Sequence, residues 1–225
     1  MSALPPEAPP EAPPEAPKAC PLCPRLVEYR EANARANPTW FNGAAPSFGD
    51  ENAGLLIVGL APGRTGANRT GRPFTGDYAG DLLYATLKKL GLAKGEYRAD
   101  PNDGFTLVGA MVTNAVRCAP PANKPTPEEI KSCRAFLSAR IAALPRLKVI
   151  FALGSIAHES VLRAHDMKPS AAKFAHGAEA ALPNGRVLVS SYHCSRYNTQ
   201  TRRLDAAMFE AAMARAKELA KALAP

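Results

Sequence analysis

The chain has 225 residues, with 28 Lys and Arg against 20 Asp and Glu, giving a formal net charge of +8. At 46% hydrophobic residues it has material for one substantial core, which excludes wholesale disorder; no apolar run reaches the roughly 20 residues of a membrane helix, and no basic-then-apolar signal sequence opens it. Five cysteines, an odd number in a chain too large to need disulfides, point to a reducing cytoplasm, and the basic balance points to a polyanionic partner.

Residues 5–17 repeat Pro, Glu and Ala as PPEAPPEAPPEAP, a composition that favours extended polyproline II and buries nothing. A disordered tail is therefore expected over 1–17 and a single folded domain over 18–225. Within the domain, LLIVGL at 55–60 is a short apolar run ending in Gly and Pro, as a buried strand does. A helix follows over 80–91, with Leu82, Leu83, Leu87 and Leu90 on one face. FTLVGAMV at 105–112 is a second strand. Thr126-Pro127-Glu128-Glu129 is a capping box opening a helix to Ala143. A third strand (147–153), a helix opened by Gly154, a fourth strand (186–192) and an Ala-rich helix (204–223) complete the chain. Four strands alternating with helices predict a mostly parallel four-stranded sheet covered on both faces, a three-layer α/β/α sandwich. Ligands of such sheets bind beyond the carboxyl ends of the strands. The unusual residues gather there.

Cys20 and Cys23 form a C-x2-C pair, and Cys118 and Cys133 lie far downstream. Four thiolates suit an iron–sulfur cluster or zinc, and the lack of a second tight knuckle tilts the choice toward iron–sulfur; for Cys118 and Cys133 alone, ordinary burial is an equal reading. Residues 61–77 hold four glycines together with Arg64, Arg69 and Arg72, a setting for close backbone approach and forked phosphate donors. The spacing fits neither a P-loop nor a dinucleotide fingerprint. Phe74 is a base-stacking group or a core anchor, and Asp77 activates water or caps the next helix. Asn114, ending a strand, reads a base edge or ties down a turn. His193 ends the last strand, and a basic loop with Arg196 and Tyr197 follows it. The other histidines, His158, His165 and His176, read as surface or structural groups. No Ser-His-Asp order or G-x-S-x-G elbow is present.

Taken together these loops resemble a known family. Gly59 to Gly63, Gly66 to Arg72 and Phe74 to Asp77 resemble the first motif of the family 5 (B-type) uracil-DNA glycosylases. Thr113 to Cys118, with Pro120 and Pro121, is similar to the segment that joins the base-reading strand to a cluster ligand. Ser191-Tyr192-His193 with Ser195, Asn198 and Thr199 resembles the late His motif and its DNA-inserting loop. The resemblance spans about residues 18–215. It implies a monofunctional glycosylase of base excision repair that hydrolyses the N-glycosidic bond of uracil, and of hypoxanthine and xanthine, in damaged DNA. It implies Asp77 and His193 as catalytic residues, with Gly59, Ala61, Gly63, Phe74 and Asn114 around the base. Arg69, Arg72, Ser195, Arg196 and Asn198 are implied on DNA, and Cys20, Cys23, Cys118 and Cys133 on a [4Fe–4S] cluster. A cytoplasmic monomer is expected. Two departures stand out: Cys194 takes the place of a Pro after the His, leaving the loop less rigid and redox-sensitive, and Arg202 stands where Gly is expected. The competing reading is a non-catalytic iron–sulfur or zinc module that binds DNA damage.

Overall fold

A computed structural model describes residues 14–223. After α1 (Pro24–Ala36) come β1 (Phe48–Gly49), β2 (Leu55–Gly59), α2 (Ala67–Thr70) and α3 (Tyr78–Lys89). The hairpin strands β3 (Ala93–Lys94) and β4 (Thr106–Leu107) precede β5 (Ala110–Asn114), α4 (Pro127–Ala142), β6 (Val149–Leu153) and α5 (Ser155–Ala164). The chain ends with β7 (Glu179–Ala181), β8 (Val187–Ser191), α6 (Arg196–Gln200) and α7 (Ala206–Ala222).

The main sheet has the order β1-β5-β2-β6-β8-β7. Its four inner strands are parallel and in register, Ile57 pairing with Val112 and with Phe151, and Phe151 with Val189. These strands read as unbroken apolar runs because both faces are covered. Leu55, Ile57 and Phe151 pack against Leu83 and Leu87 of α3 and Phe209 and Met213 of α7. Leu56, Val58 and Ile150, one position out of step, pack against Leu137 of α4 and Val161 of α5. Alternate residues of one strand thus serve two cores, and the expected three layers result.

Three details differ from expectation. The sheet has six strands, because β1 and β7 add antiparallel edges only two and three residues long, too short to show a period. The expected strand over 105–112 is two strands: Gly109, with φ +64, breaks it, β4 turns to pair with β3, and β5 continues to Asn114. Helix α1 was not foreseen, since it buries only Leu26, Arg30 and Asn33 and carries no apolar stripe.

Most of the expected tail, residues 1–13, lies outside the described residues. Its end is packed on the domain. The Glu15 carboxylate bridges two deeply buried guanidinium groups, Arg117 Nη1 at 3.0 Å and Arg140 Nη2 at 2.5 Å, and accepts the Ser47 N–H at 2.9 Å. Ala16 is buried beside the cysteines. Among the described residues no helix is long and apolar enough to cross a membrane.

Candidate active site

The loops leaving the carboxyl ends of the parallel strands meet at one edge of the sheet. There the β2–α3 loop and the β8–α6 turn enclose a cavity of about 440 Å³ that Ala61, Gly63, Phe74, Asp77, Asn114, His193 and Ser195 help to line. Gly59 lies beneath it. A Cβ at Gly59 would stand 2.5 Å from both Asn114 Oδ1 and the Phe74 ring, so glycine is what lets these two side chains approach strand β2.

Phe74 is buried and has φ +54, a left-handed conformation that aromatic residues rarely adopt and that marks a constrained position. The Tyr97 hydroxyl donates to its carbonyl at 3.2 Å, and a Cβ at Gly80 would collide with that same oxygen. The Phe74 ring stacks with the His193 imidazole, centroids 5.9 Å apart at 27°. Both readings of Phe74 therefore hold, since it is a buried anchor whose ring also lines the cavity.

Asp77 has a divided role. Its Oδ1 caps α3, accepting the Gly80 N–H at 3.1 Å, while Oδ2 faces Gly63 and Gly66, whose missing Cβ atoms leave it room. Burial pushes the carboxyl above its ordinary range, the Gly80 amide opposes this, and the Asp81 charge adds to it. His193 is held from behind by Asn198, whose Nδ2 donates to the His193 carbonyl at 2.8 Å. Burial lowers the imidazole to about 4, so at neutral pH the ring is uncharged and donates one N–H. Asn114, in register with Gly59, is buried and its Oδ1 has no partner among the described residues. A buried acceptor left open is costly and marks a place for a ligand donor.

Two expectations are corrected, at Arg72 and Cys194, and the other expected residues are placed beside them. Arg72 does not face DNA: it is 5% exposed, forms a two-pronged pair with Asp103 at 2.8 and 2.9 Å and stacks among Phe48, Tyr84 and Tyr97. A guanidinium this deep needs a carboxylate, and Asp103 lies too far along the chain to be picked out. Asn198 spends its amide on the His193 carbonyl, and Ser195 Oγ caps α6, accepting the Asn198 N–H at 3.4 Å. Cys194 is fully buried, its thiol directed at the Ala79 carbonyl (3.4 Å). It ties the His loop to α3, which makes it neither loosening nor accessible to oxidants. Arg202 does take the glycine-like conformation, φ +56. Arg69 is exposed but lines a separate cleft with Lys18 and Trp40, and Arg196 is exposed on the cavity rim. His158 is structural, bonded to Ser190 Oγ at 2.8 Å and the Ala172 carbonyl at 2.9 Å. The cavity also gains Arg64, Tyr78 and Asn123. Consecutive positive φ values at Ala122 and Asn123 carry no sequence signal.

Cys20, Cys23, Cys118 and Cys133 line one buried pocket with Leu26, Val116 and Phe136, and none is in a disulfide. Two N–H groups point at the sulfurs, Arg117 N at 3.2 Å from Cys133 and Arg30 Nη1 at 3.8 Å from Cys118. Such donors favour thiolates. Among the described residues no three His, Cys, Asp or Glu side chains converge as a single-ion site requires. The thiols share a chamber without closing on one point.

The sequence pattern of the Uracil DNA glycosylase superfamily matches residues 46–217. A type-5 uracil-DNA glycosylase of Thermus thermophilus is 48% identical over 90% of this chain and 94% of its own. One from Mycobacterium leprae is 41% identical over 89% and 91%. A type-4 uracil-DNA glycosylase of Pyrobaculum aerophilum is 34% identical over 64% and 59%.

Proposed function

This chain belongs to the Uracil DNA glycosylase superfamily, hydrolases acting on N-glycosyl bonds, and we propose that it removes uracil from DNA in base excision repair and, in the same pocket, the deaminated purines hypoxanthine and xanthine. One observation carries the reading: a half-buried carboxylate, an uncharged imidazole and an unpartnered amide oxygen meet in a single cavity.

The target nucleotide swings out of the duplex and its base stacks against Phe74. Asn114 Oδ1 accepts the ring N–H that uracil, hypoxanthine and xanthine present and that cytosine and adenine lack, so deamination of cytosine or adenine creates the donor this buried acceptor needs. Asp77 Oδ2 orients a water for attack at C1′. As the C1′–N bond breaks, its electron pair leaves with the base, and the neutral His193 donates its N–H to the base oxygen where the charge collects. The water proton passes to Asp77 and from there, through solvent, the departing base anion is reprotonated, leaving neutral free base and an abasic site. Among the described residues no lysine lines the cavity, which supports water, not an amine, as the nucleophile.

Cys20, Cys23, Cys118 and Cys133 would hold a [4Fe–4S] cluster, which the buried thiol chamber and its N–H donors fit better than a single zinc. The group would supply structural cross-linking between the start of α1 and the segment that follows Asn114.

The test is base release from duplexes carrying uracil, hypoxanthine or xanthine, read by alkaline cleavage with EDTA present. Asp77→Asn is expected to lose on the order of 100- to 10,000-fold and His193→Ala on the order of 100- to 1000-fold, with DNA binding retained. Uracil release alone would narrow the pocket's range. Tight binding without release by iron-loaded wild-type protein would overturn the enzyme reading in favour of a damage-binding module. Iron and sulfide analysis tests the cluster separately.

A further inference from the structure

Two arginines line the cavity, Arg64 from the β2–α3 loop and Arg196 from the first position of α6. Both are exposed. Neither is in an ion pair among the described residues, whereas Arg72, Arg117 and Arg140 are each buried against a carboxylate. The two free guanidinium groups are nevertheless held in place. Arg64 Nε donates to Asn33 Oδ1 at 2.7 Å, and its guanidinium lies 5.3 Å from the Trp40 ring centroid. Asn33 is 4% exposed and is itself fixed, its Nδ2 donating to the Tyr29 carbonyl at 2.8 Å. Arg196 lies 5.2 Å from the centroid of Tyr78, the residue after Asp77, and the Tyr78 hydroxyl accepts from Thr199 Oγ1 at 3.1 Å.

Ordering a long exposed side chain costs rotamer entropy, and both supports are neutral, so the charge is kept and aimed. Arg64 uses only Nε in these contacts, which leaves the terminal nitrogens of the fork free of protein partners among the described residues. A planar, charged, pre-oriented fork suits a phosphate, and a cation stacked on an aromatic ring keeps its outer edge for a ligand. Asparagine inside a helix is a poor helix former. Its place at position 33 is accounted for by the arginine it holds.

We propose that Arg64 and Arg196 form a two-sided phosphate clamp that grips the DNA backbone on either side of the extruded nucleotide, with Asn33 and Trp40 as positioning residues for Arg64. The clamp rests on the glycosylase reading and says how that site takes its substrate. It adds a residue, Arg64, and gives Arg196 a partner in the same cavity.

The experiment measures affinity for a uracil-containing duplex across a range of NaCl, in the Asp77→Asn protein so that substrate survives. Adding Arg64→Ala or Arg196→Ala is expected to weaken binding about tenfold at low salt and to flatten the slope of log affinity against log salt by about 0.9 each, one phosphate contact apiece. Asn33→Leu keeps the charge but loosens its aim, so affinity drops about threefold with a smaller change in slope. In the active protein the same arginine changes raise KM more than they lower kcat, and Arg64→Lys recovers part of the loss. Unchanged affinity and slope in Arg64→Ala would overturn the clamp, and so would weaker binding with an unchanged slope, which marks a disturbed loop instead of a lost phosphate contact. Those outcomes leave uracil release intact, whereas persistence of release in Asp77→Asn would remove the catalytic reading and not the clamp.

Discussion

At Asp77 one carboxylate oxygen caps α3 and the other turns to the cavity, so the catalytic role proposed for it would tie activity to its ionisation. Burial raises the group, and only the ionised form accepts a proton from water. Base release should therefore fall as pH drops through that raised value, with an acid limb above the ordinary carboxylate range near 3.9. His193, lowered by burial to about 4, is neutral at physiological pH. Asp81→Asn removes a charge that raises Asp77 and should move the limb to lower pH in a rate–pH profile; an unmoved limb would assign it to another group. The same shift has a stability consequence of definite sign. A carboxyl whose folded pKa exceeds its unfolded value weakens the fold once pH rises above both, so Asp77→Asn, which keeps the cap, should raise Tm at neutral pH while sharply lowering turnover. The residue types at Asp77, Phe74 and Asn114 were legible with both of their alternatives, because capping, anchoring and chemistry ask for the same side chains. Arg72 misled for a physical reason. An arginine in a glycine-rich loop signals phosphate unless a buried carboxylate claims it, and Asp103 is close only in space.

Among the elements, the inner strands and the capped helices were legible since each carries a period or a stop signal. Helix α1 was not, because its buried side chains are mostly polar and act as supports. Arg30 directs its donors at Cys20 and Cys118, and Asn33 holds Arg64. The segment at Glu15 was also hidden, inside a repeat whose composition reads as solvated. Its carboxylate joins Arg117, 1% exposed, to Arg140, also held by Glu51. Breaking a fully buried pair costs about 3–5 kcal/mol. Glu15 is itself partly exposed, so Glu15→Ala should cost about 2 kcal/mol, discounted for solvent screening, and lower Tm by roughly 4–8 °C in a domain this size. A chain beginning at Pro14 keeps the contact and a chain beginning at Lys18 loses it; equal melting temperatures for those two proteins would show the bridge to be idle.

At the scale of the molecule, the sheet order sets the functional geometry. The four inner strands point the same way, so Gly59, Asn114, Gly154 and the turn after Ser191 reach one edge together, and that convergence was predictable from the alternation of strands and helices alone. The cysteine chamber lies beside this edge, connected through the short run from Asn114 to Cys118 and through α1. Arg117 stands in the middle of that run, and its guanidinium is the one that Glu15 neutralises. One repeat unit therefore reaches, by two steps, the strand end that carries Asn114.

The bridge also bears on how the repeat can change over generations. Here a gain or loss of whole four-residue units upstream still leaves a Pro-Glu-Ala triplet at the same distance before Cys20, as the sequence PPEAPPEAPPEAP makes plain. The carboxylate that Arg117 and Arg140 require is thus supplied whichever copy survives. The anchor is set by position, not by the identity of any one repeat.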